Sequence, residues 1–183
     1  MEKNSLFKIG VVGAESTGKS ELCEKMAAHF ETLWVPEYAR EYFNHSNIYK
    51  YSLQDLESIL EQQLTWETEY SLKANKLLFC DTTAITLKIW AELEFSTCPQ
   101  TIEQAVQHQN YDFYLICNND IDWQEDPQRL NKFSRELIFE KNKKEVETSK
   151  IPFLVVSGRG TERVKKTIQA LTQFLMSEGK RDQ

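Results

Sequence analysis

The stretch Gly13-Ala14-Glu15-Ser16-Thr17-Gly18-Lys19-Ser20 decides how this chain is read. An apolar run, Ile9-Gly10-Val11-Val12, precedes it and a helical pattern follows. Together they fit G-x-x-x-x-G-K-[ST], the phosphate-cradling loop between a buried strand and a helix. The chemistry needs these residues at this spacing because two glycines let successive backbone N–H groups curl inward round a phosphate, at the positive end of the next helix. Lys19 reaches the β- and γ-phosphates and the Ser20 hydroxyl ligates Mg²⁺. All eight residues, Gly13, Ala14, Glu15, Ser16, Thr17, Gly18, Lys19 and Ser20, are therefore assigned to nucleotide binding.

Outward from the loop, Leu22, Cys23, Met26, Ala27 and Phe30 recur at helical spacing, so one face of a helix running to about Phe30 packs on a sheet. Thr32 to Val35 reads as a second strand stopped by Pro36. The run Pro36-Glu37-Tyr38-Ala39-Arg40-Glu41-Tyr42 then lies past a strand's carboxyl end, where ligands bind in open α/β sheets. Ser52 with Asp55 forms a capping-box pattern ahead of a long amphipathic helix to about Asn75. Leu77-Leu78-Phe79-Cys80 ends in Asp81, the shape of the second magnesium-site strand in phosphate-loop proteins. Helices over Thr83 to Phe95 and up to about Gln107 precede a fourth strand from Tyr111 to Cys117. The polar segment 118–131 reads as a mobile lid. A helix over Lys132 to Thr148, a strand over Ile151 to Ser157 and a last helix capped by Thr161 follow, with a frayed tail over 177–183.

Alternating strands and helices imply an α/β three-layer sandwich of the P-loop NTPase type, with a mainly parallel five-stranded sheet in the order 2-3-1-4-5. A chain of 183 residues is expected to form a single domain, 1–183. Its 22 basic and 28 acidic side chains, a net charge of −6, argue against a nucleic-acid or anionic-membrane surface. No apolar run spans a bilayer and no secretory apolar core opens the chain, so a cytoplasmic protein is expected. Cys23, Cys80, Cys98 and Cys117 show no C-x-x-C spacing, and with His29, His45 and His108 they suggest no transition-metal site. The sequence leaves the oligomeric state open.

Nucleotide binding alone does not specify a reaction. A guanine-specific switch would carry an Asn-Lys-x-Asp motif after the fourth strand, and a motor would be longer. The compact chain and an arginine-bearing polar loop after strand four fit a small-molecule kinase better. The runs GAESTGKS and PEYARE, the pair Asp81-Thr82, and Asn118-Asn119 followed by Trp123, Asp126 and Arg129 also resemble one family. It is the ribosylnicotinamide kinase domain at the end of a bacterial bifunctional NAD-biosynthesis regulator. That resemblance spans nearly the whole chain and implies transfer of phosphate from ATP, with Mg²⁺, to the 5′-hydroxyl of nicotinamide riboside. The chain has Thr83 where the family often has a second Asp and Pro127 where it often has Gly, and 183 residues leave no room for the family's DNA-binding and adenylyltransferase domains. The alternatives are a kinase of another nucleoside or nucleoside monophosphate, and a nucleotide-binding regulatory ATPase.

Phosphoryl transfer to an alcohol needs the γ-phosphate held, its charge neutralised and the hydroxyl aimed in line. Lys19 and the loop amides hold, while Ser20 and Asp81 carry the metal. Glu37 is the candidate for orienting or deprotonating the hydroxyl; Asp81 could take that role, and Glu37 could be a surface acid paired with Arg40. Arg129 would close from the lid onto the transferring phosphate or stand as a solvated arginine. Arg40 binds substrate or holds Glu41. Arg159, in Gly158-Arg159-Gly160, lies where related kinases wrap adenine, although a plain turn also explains the glycines. A cationic pyridinium ring favours aromatic faces and acids; Tyr38, Tyr42, Trp90 and Trp123 are available, with Tyr38 preferred.

Overall fold

The computed structural model describes residues 6–46 and 48–178. The strands are β1 (Phe7–Gly13), β2 (Leu33–Val35), β3 (Leu77–Asp81), β4 (Phe113–Cys117) and β5 (Phe153–Val156). The helices are α1 (Lys19–His29), α2 (Tyr38–Asn44), α3 (Leu53–Ser71), α4 (Ala84–Phe95), α5 (Gln100–Gln107), α6 (Arg135–Ser149) and α7 (Gly160–Glu178), with a 3₁₀ turn over Lys132–Ser134 ahead of α6. The sheet runs β2-β3-β1-β4-β5 and every pairing in it is parallel. This is the expected P-loop α/β sandwich.

The central strands are continuous apolar runs because both faces of the sheet are covered. On one face Ile9, Val11, Leu22, Met26, Phe79, Leu115 and Leu171 form a core beneath α1 and α7. On the other, Val12, Leu78, Ile85, Ile89, Tyr114 and Ile116 pack with α4 and α6. A third cluster joins α2, α3, α4 and α5 through Phe43, Leu56, Ile59, Leu87 and Ile102. Gly10 is needed here, since a Cβ on it would stand 2.5 Å from Cε1 of the buried Tyr114 ring.

Helix α3 starts as its sequence predicts. The Ser52 side chain accepts from the Asp55 N–H, and Asp55 Oδ2 accepts from the Ser52 N–H at 2.7 Å. Strand β4 begins two residues later than the apolar pattern suggests. Asp112 turns its carboxylate onto the Lys8 N–H at 2.7 Å, and the buried Tyr111 hydroxyl donates to Glu67 at 2.6 Å. Helix α7 begins one residue before Thr161, so Thr161 lies in its first turn and is not the cap. Of the tail expected to fray, 177–178 belong to α7 and 179–183 lie outside the described residues.

Candidate active site

The phosphate loop joins β1 to α1. Gly13 has φ 143° and its absent side chain lets the loop pass the Cys117 carbonyl, which a Cβ would meet at 2.7 Å. Gly18, at the N-cap of α1, is left-handed with φ 70° and ψ 31°, a conformation that a glycine adopts without steric cost. Inside the loop the Thr17 hydroxyl donates to the Ala14 carbonyl at 2.7 Å. The Lys19 ammonium folds back onto the Gly13 and Ala14 carbonyls at 3.1 and 3.0 Å. It therefore sits over the concave side of the loop, where a phosphate oxygen would replace those carbonyls.

Strand β3 lies next to β1, with Asp81 in register with Val11, and so brings a carboxylate to the loop. The Ser20 hydroxyl donates to Asp81 Oδ2 at 2.5 Å. Asp81 is fully buried, and its Oδ1 has no hydrogen-bond partner. Burial, reinforced by the nearby Glu37 charge, pushes its pKa up to about 6, while Lys19, the Ser20 bond and Arg40 pull the other way. An orphaned carboxylate oxygen beside a hydroxyl is a donor set suited to a hard divalent cation such as Mg²⁺. Among the described residues no three His, Cys, Asp or Glu side chains gather into a separate metal cluster.

Glu37 stands at the N-terminal boundary of α2 past the end of β2 without capping it, its side chain 13% exposed and Oε2 3.5 Å from Arg40 Nε. It lines a cavity of about 280 Å³ that opens beside the loop. Phe43 from α2, Ile48, and Thr86, Ile89 and Trp90 from α4 form the far wall. The Thr86 hydroxyl is buried and has no hydrogen-bond partner. Glu37 thus has both environments open to it in the sequence: it pairs with Arg40, and it faces the cavity.

The segment 118–131 lies across the loop. Glu15 accepts from the Asn131 N–H at 2.8 Å and from its side-chain amide at 3.0 Å. Ser16 Oγ accepts from the Gln124 N–H at 2.8 Å, and Arg135 donates to the Ser16 and Ile121 carbonyls at 3.1 and 3.0 Å. Asp126 ties the two sides of the cavity together. It accepts from Arg40 Nη1 at 2.7 Å and lies 3.6 Å from Arg129 Nε. Against the effect of burial, the Gln128 N–H and Arg40 hold its carboxyl below the ordinary range. Arg129 lines the cavity and donates to the Gln124 carbonyl at 2.8 Å.

Lys19, Ser20, Glu37, Arg40 and Arg129 share one cavity, while Asp81 does not line it and is joined to it only through the bond from Ser20. Three of the four aromatic residues offered for the substrate ring, Tyr38, Tyr42 and Trp123, do not line the cavity. Tyr38 packs edge-on against Trp66 at 4.9 Å, and its N–H donates to Gln63. The reason is helical phase: Ala39, Arg40 and Phe43 occupy the cavity face of α2, while Tyr38 and Tyr42 point toward α3. Trp123 lies under Lys132 and Arg135, 5.9 and 6.0 Å from its ring centre. Trp90, named with them, does line the cavity. Arg159 faces a second cavity and pairs with Asp122 at 2.8 and 3.1 Å. Thr86 and Ile89 were missed, although the positions of Thr86, Ile89 and Trp90 on α4, straight after Asp81, follow the three- and four-residue spacing of one helix face.

An AAA domain family matches residues 8–163. The chain belongs to this family. Its sequence is 28% identical over 121 residues to the trifunctional NAD biosynthesis/regulator protein NadR of Escherichia coli and to that of Salmonella typhimurium. Each alignment covers 63% of this chain and 29% of the relative, so the chain spans less than a third of the curated relatives it matches. Among solved structures, the NadR protein in complex with NR superposes with a TM-score of 0.73 at 20% identity, over 92% of this chain and 49% of the other. Thymidylate kinase from Ehrlichia chaffeensis gives 0.65 at 10% identity, over 93% and 99%. The fold is that of P-loop kinases.

Proposed function

We propose that this chain is an ATP- and Mg²⁺-dependent kinase that phosphorylates the 5′-hydroxyl of nicotinamide riboside, giving nicotinamide mononucleotide. The observation that carries the reading is a carboxylate, Glu37, facing a cavity shared with the phosphate loop and with Ser20, itself bonded to Asp81. A hydrolase needs room beside the triphosphate only for water, whereas this cavity continues from the phosphate loop to Phe43, Ile48 and Trp90, which leaves space for an acceptor. The choice of nucleoside is supported by the similarity to NadR and to its complex with NR, and by Trp90 and Glu37 in the cavity lining, an indole and an acid suited to a cationic ring.

In the proposed reaction the acceptor's 5′-oxygen attacks the γ-phosphorus and the bond to the β–γ bridging oxygen breaks. The hydroxyl proton passes to Glu37, and ADP leaves. Glu37 suits the base role better than Asp81, because Glu37 lines the acceptor cavity while Asp81 is committed to Ser20. Ser20 and Asp81 would hold Mg²⁺, which offsets charge on the phosphate oxygens when bound. Lys19 exchanges its carbonyl partners for the phosphate. Arg40 and Arg129 leave the shared Asp126 carboxylate and turn to the transferring group. The Thr86 hydroxyl supplies a partner for a ribose hydroxyl. The proposed partners are small molecules, ATP and a nucleoside, and the proposed setting is the cytoplasm; among the described residues no helix is long and apolar enough to cross a membrane.

The test is a panel of nucleosides and nucleoside monophosphates incubated with the protein, ATP and Mg²⁺, with products read by mass spectrometry. Nicotinamide riboside is expected to be the best acceptor. Efficient phosphorylation of another acceptor with none of nicotinamide riboside would refute the substrate and keep the class. ATP hydrolysis indifferent to every acceptor would refute the kinase.

A further inference from the structure

Strand β2, which leads to the proposed base, is an edge strand of three residues, and its pairing with β3 ends at Val35. Glu37 lies two residues beyond that pairing, so the ladder that places Asp81 does not reach it. The Glu37 carboxylate caps none of the N–H groups of α2. Its backbone is held instead by one side chain of α3. Gln63 Nε2 donates to the Pro36 carbonyl at 3.2 Å, and Gln63 Oε1 accepts from the Tyr38 N–H at 2.8 Å. Those two groups belong to the two peptide planes that meet at the Glu37 Cα, so fixing both fixes φ and ψ of Glu37 and the direction of its Cα–Cβ bond. The values held are φ −69° and ψ 107°.

The bracket needs a primary amide. Only a side chain with a donor and an acceptor at one end can serve a carbonyl and an N–H together, whereas an ionised carboxylate only accepts and an apolar chain does neither. The Tyr38 N–H opens α2 and has no partner within that helix, so Gln63 also satisfies an orphan donor. Gln63 is 3% exposed, which keeps water from competing for either bond. The helix that carries it is itself anchored. One turn on, Trp66 meets the Tyr38 ring edge-on at 4.9 Å. On the same face, four residues on, the buried Glu67 pairs with Lys8 of β1 at 2.7 Å. Helix α3 thus ties the backbone of Glu37 to the strand that leads into the phosphate loop.

We propose that Gln63 is a positioning residue for phosphoryl transfer: its amide sets the backbone of Glu37 and, through it, the direction from which the carboxylate meets the acceptor hydroxyl. This rests on the reading of Glu37 as the base. It adds a residue that no motif marks, contributed by the face of α3 that packs on α2.

The experiment is a double-mutant cycle on kcat with nicotinamide riboside, over wild type, Gln63→Met, Glu37→Gln and the pair, each assayed below its own unfolding temperature and each titrated with ATP in the calorimeter. Gln63→Met keeps the length of the side chain and removes both bonds; it is expected to lower kcat by about 10- to 100-fold and to leave ATP affinity unchanged. In the Glu37→Gln background the same change is expected to cost less than about 2-fold, because the base it positions is already gone. Gln63→Glu keeps an acceptor for the Tyr38 N–H and is expected to lose less than Gln63→Met; it passes through the same cycle, which keeps the test open if the methionine variant does not fold. Equal losses in both backgrounds, or wild-type kcat in Gln63→Met, would overturn the assignment and make Gln63 a packing residue. No turnover of nicotinamide riboside by the wild-type chain, or wild-type kcat in Glu37→Gln, would instead overturn the proposed function, which separates the two failures.

Discussion

Asp81 offers a prediction whose size follows from its surroundings. Its carboxyl sits at about 6 in the folded chain against 3.8 for the free side chain, so the ionised form costs the fold about 3 kcal/mol at neutral pH. The sign follows from proton counts. Between those two values the folded chain holds more protons than the unfolded one, so this residue makes stability fall as pH rises from about 4 to 6, and the loss persists above. Asp81→Asn keeps an oxygen for the Ser20 hydroxyl and removes the charge. In urea unfolding of the metal-free protein in chelator, followed by circular dichroism from pH 4.5 to 8, the variant should exceed wild type by up to about 3 kcal/mol at pH 7. The gap should shrink toward pH 4.5. Asp55 and Asp126, whose carboxyls are held low, tilt both curves the opposite way and cancel in the difference. The same variant should lose phosphoryl transfer, because the orphaned oxygen that suits a cation is gone. A variant less stable than wild type at pH 7, or a difference independent of pH, would show that the buried charge is compensated and refute the reasoning.

Lys19→Ala should abolish transfer with little loss of unfolding temperature, since the ammonium bonds only loop carbonyls and supports no core; wild-type turnover would remove Lys19 from the reaction. Glu37→Gln should lower kcat by about 10²- to 10⁴-fold with nucleotide affinity unchanged in calorimetry, and an unaltered kcat would move the base role to Asp81. Thr86→Val should raise KM for the nucleoside by about 10-fold, the loss of one hydrogen bond, and leave KM for ATP alone. Gly10→Ala should cost about 1 to 3 kcal/mol in urea unfolding, because its Cβ would press on a ring that has no room to move.

The sheet and the loop were legible in the sequence because their signals are local. Continuous apolar runs, two glycines and a lysine at fixed spacing, and Asp81 at a strand end can each be read without the rest of the chain. The resulting order, β2-β3-β1-β4-β5, follows from crossover rules once the strands are named. The cavity wall was legible only in part. Tyr38 sits inside the motif yet turns away from the site, because the phase of α2 is set by how Tyr38 and Tyr42 meet α3. The pair Arg40 and Asp126 joins residues 86 positions apart, and no periodicity announces such a contact. Gln63 reads as one more polar residue on an amphipathic helix until its burial is seen. Local pattern thus specified the scaffold and its glycine-lysine loop, while the rest of the cavity wall depended on tertiary packing.

The most direct test of the account is the stoichiometry of transfer. With Mg²⁺ and ATP, added nicotinamide riboside should yield nicotinamide mononucleotide and ADP one for one, and the 5′-deoxy analogue should bind in competition and yield neither. ADP released at the same rate with or without either nucleoside would contradict the claim that the phosphate loop and Glu37 aim a triphosphate at an alcohol.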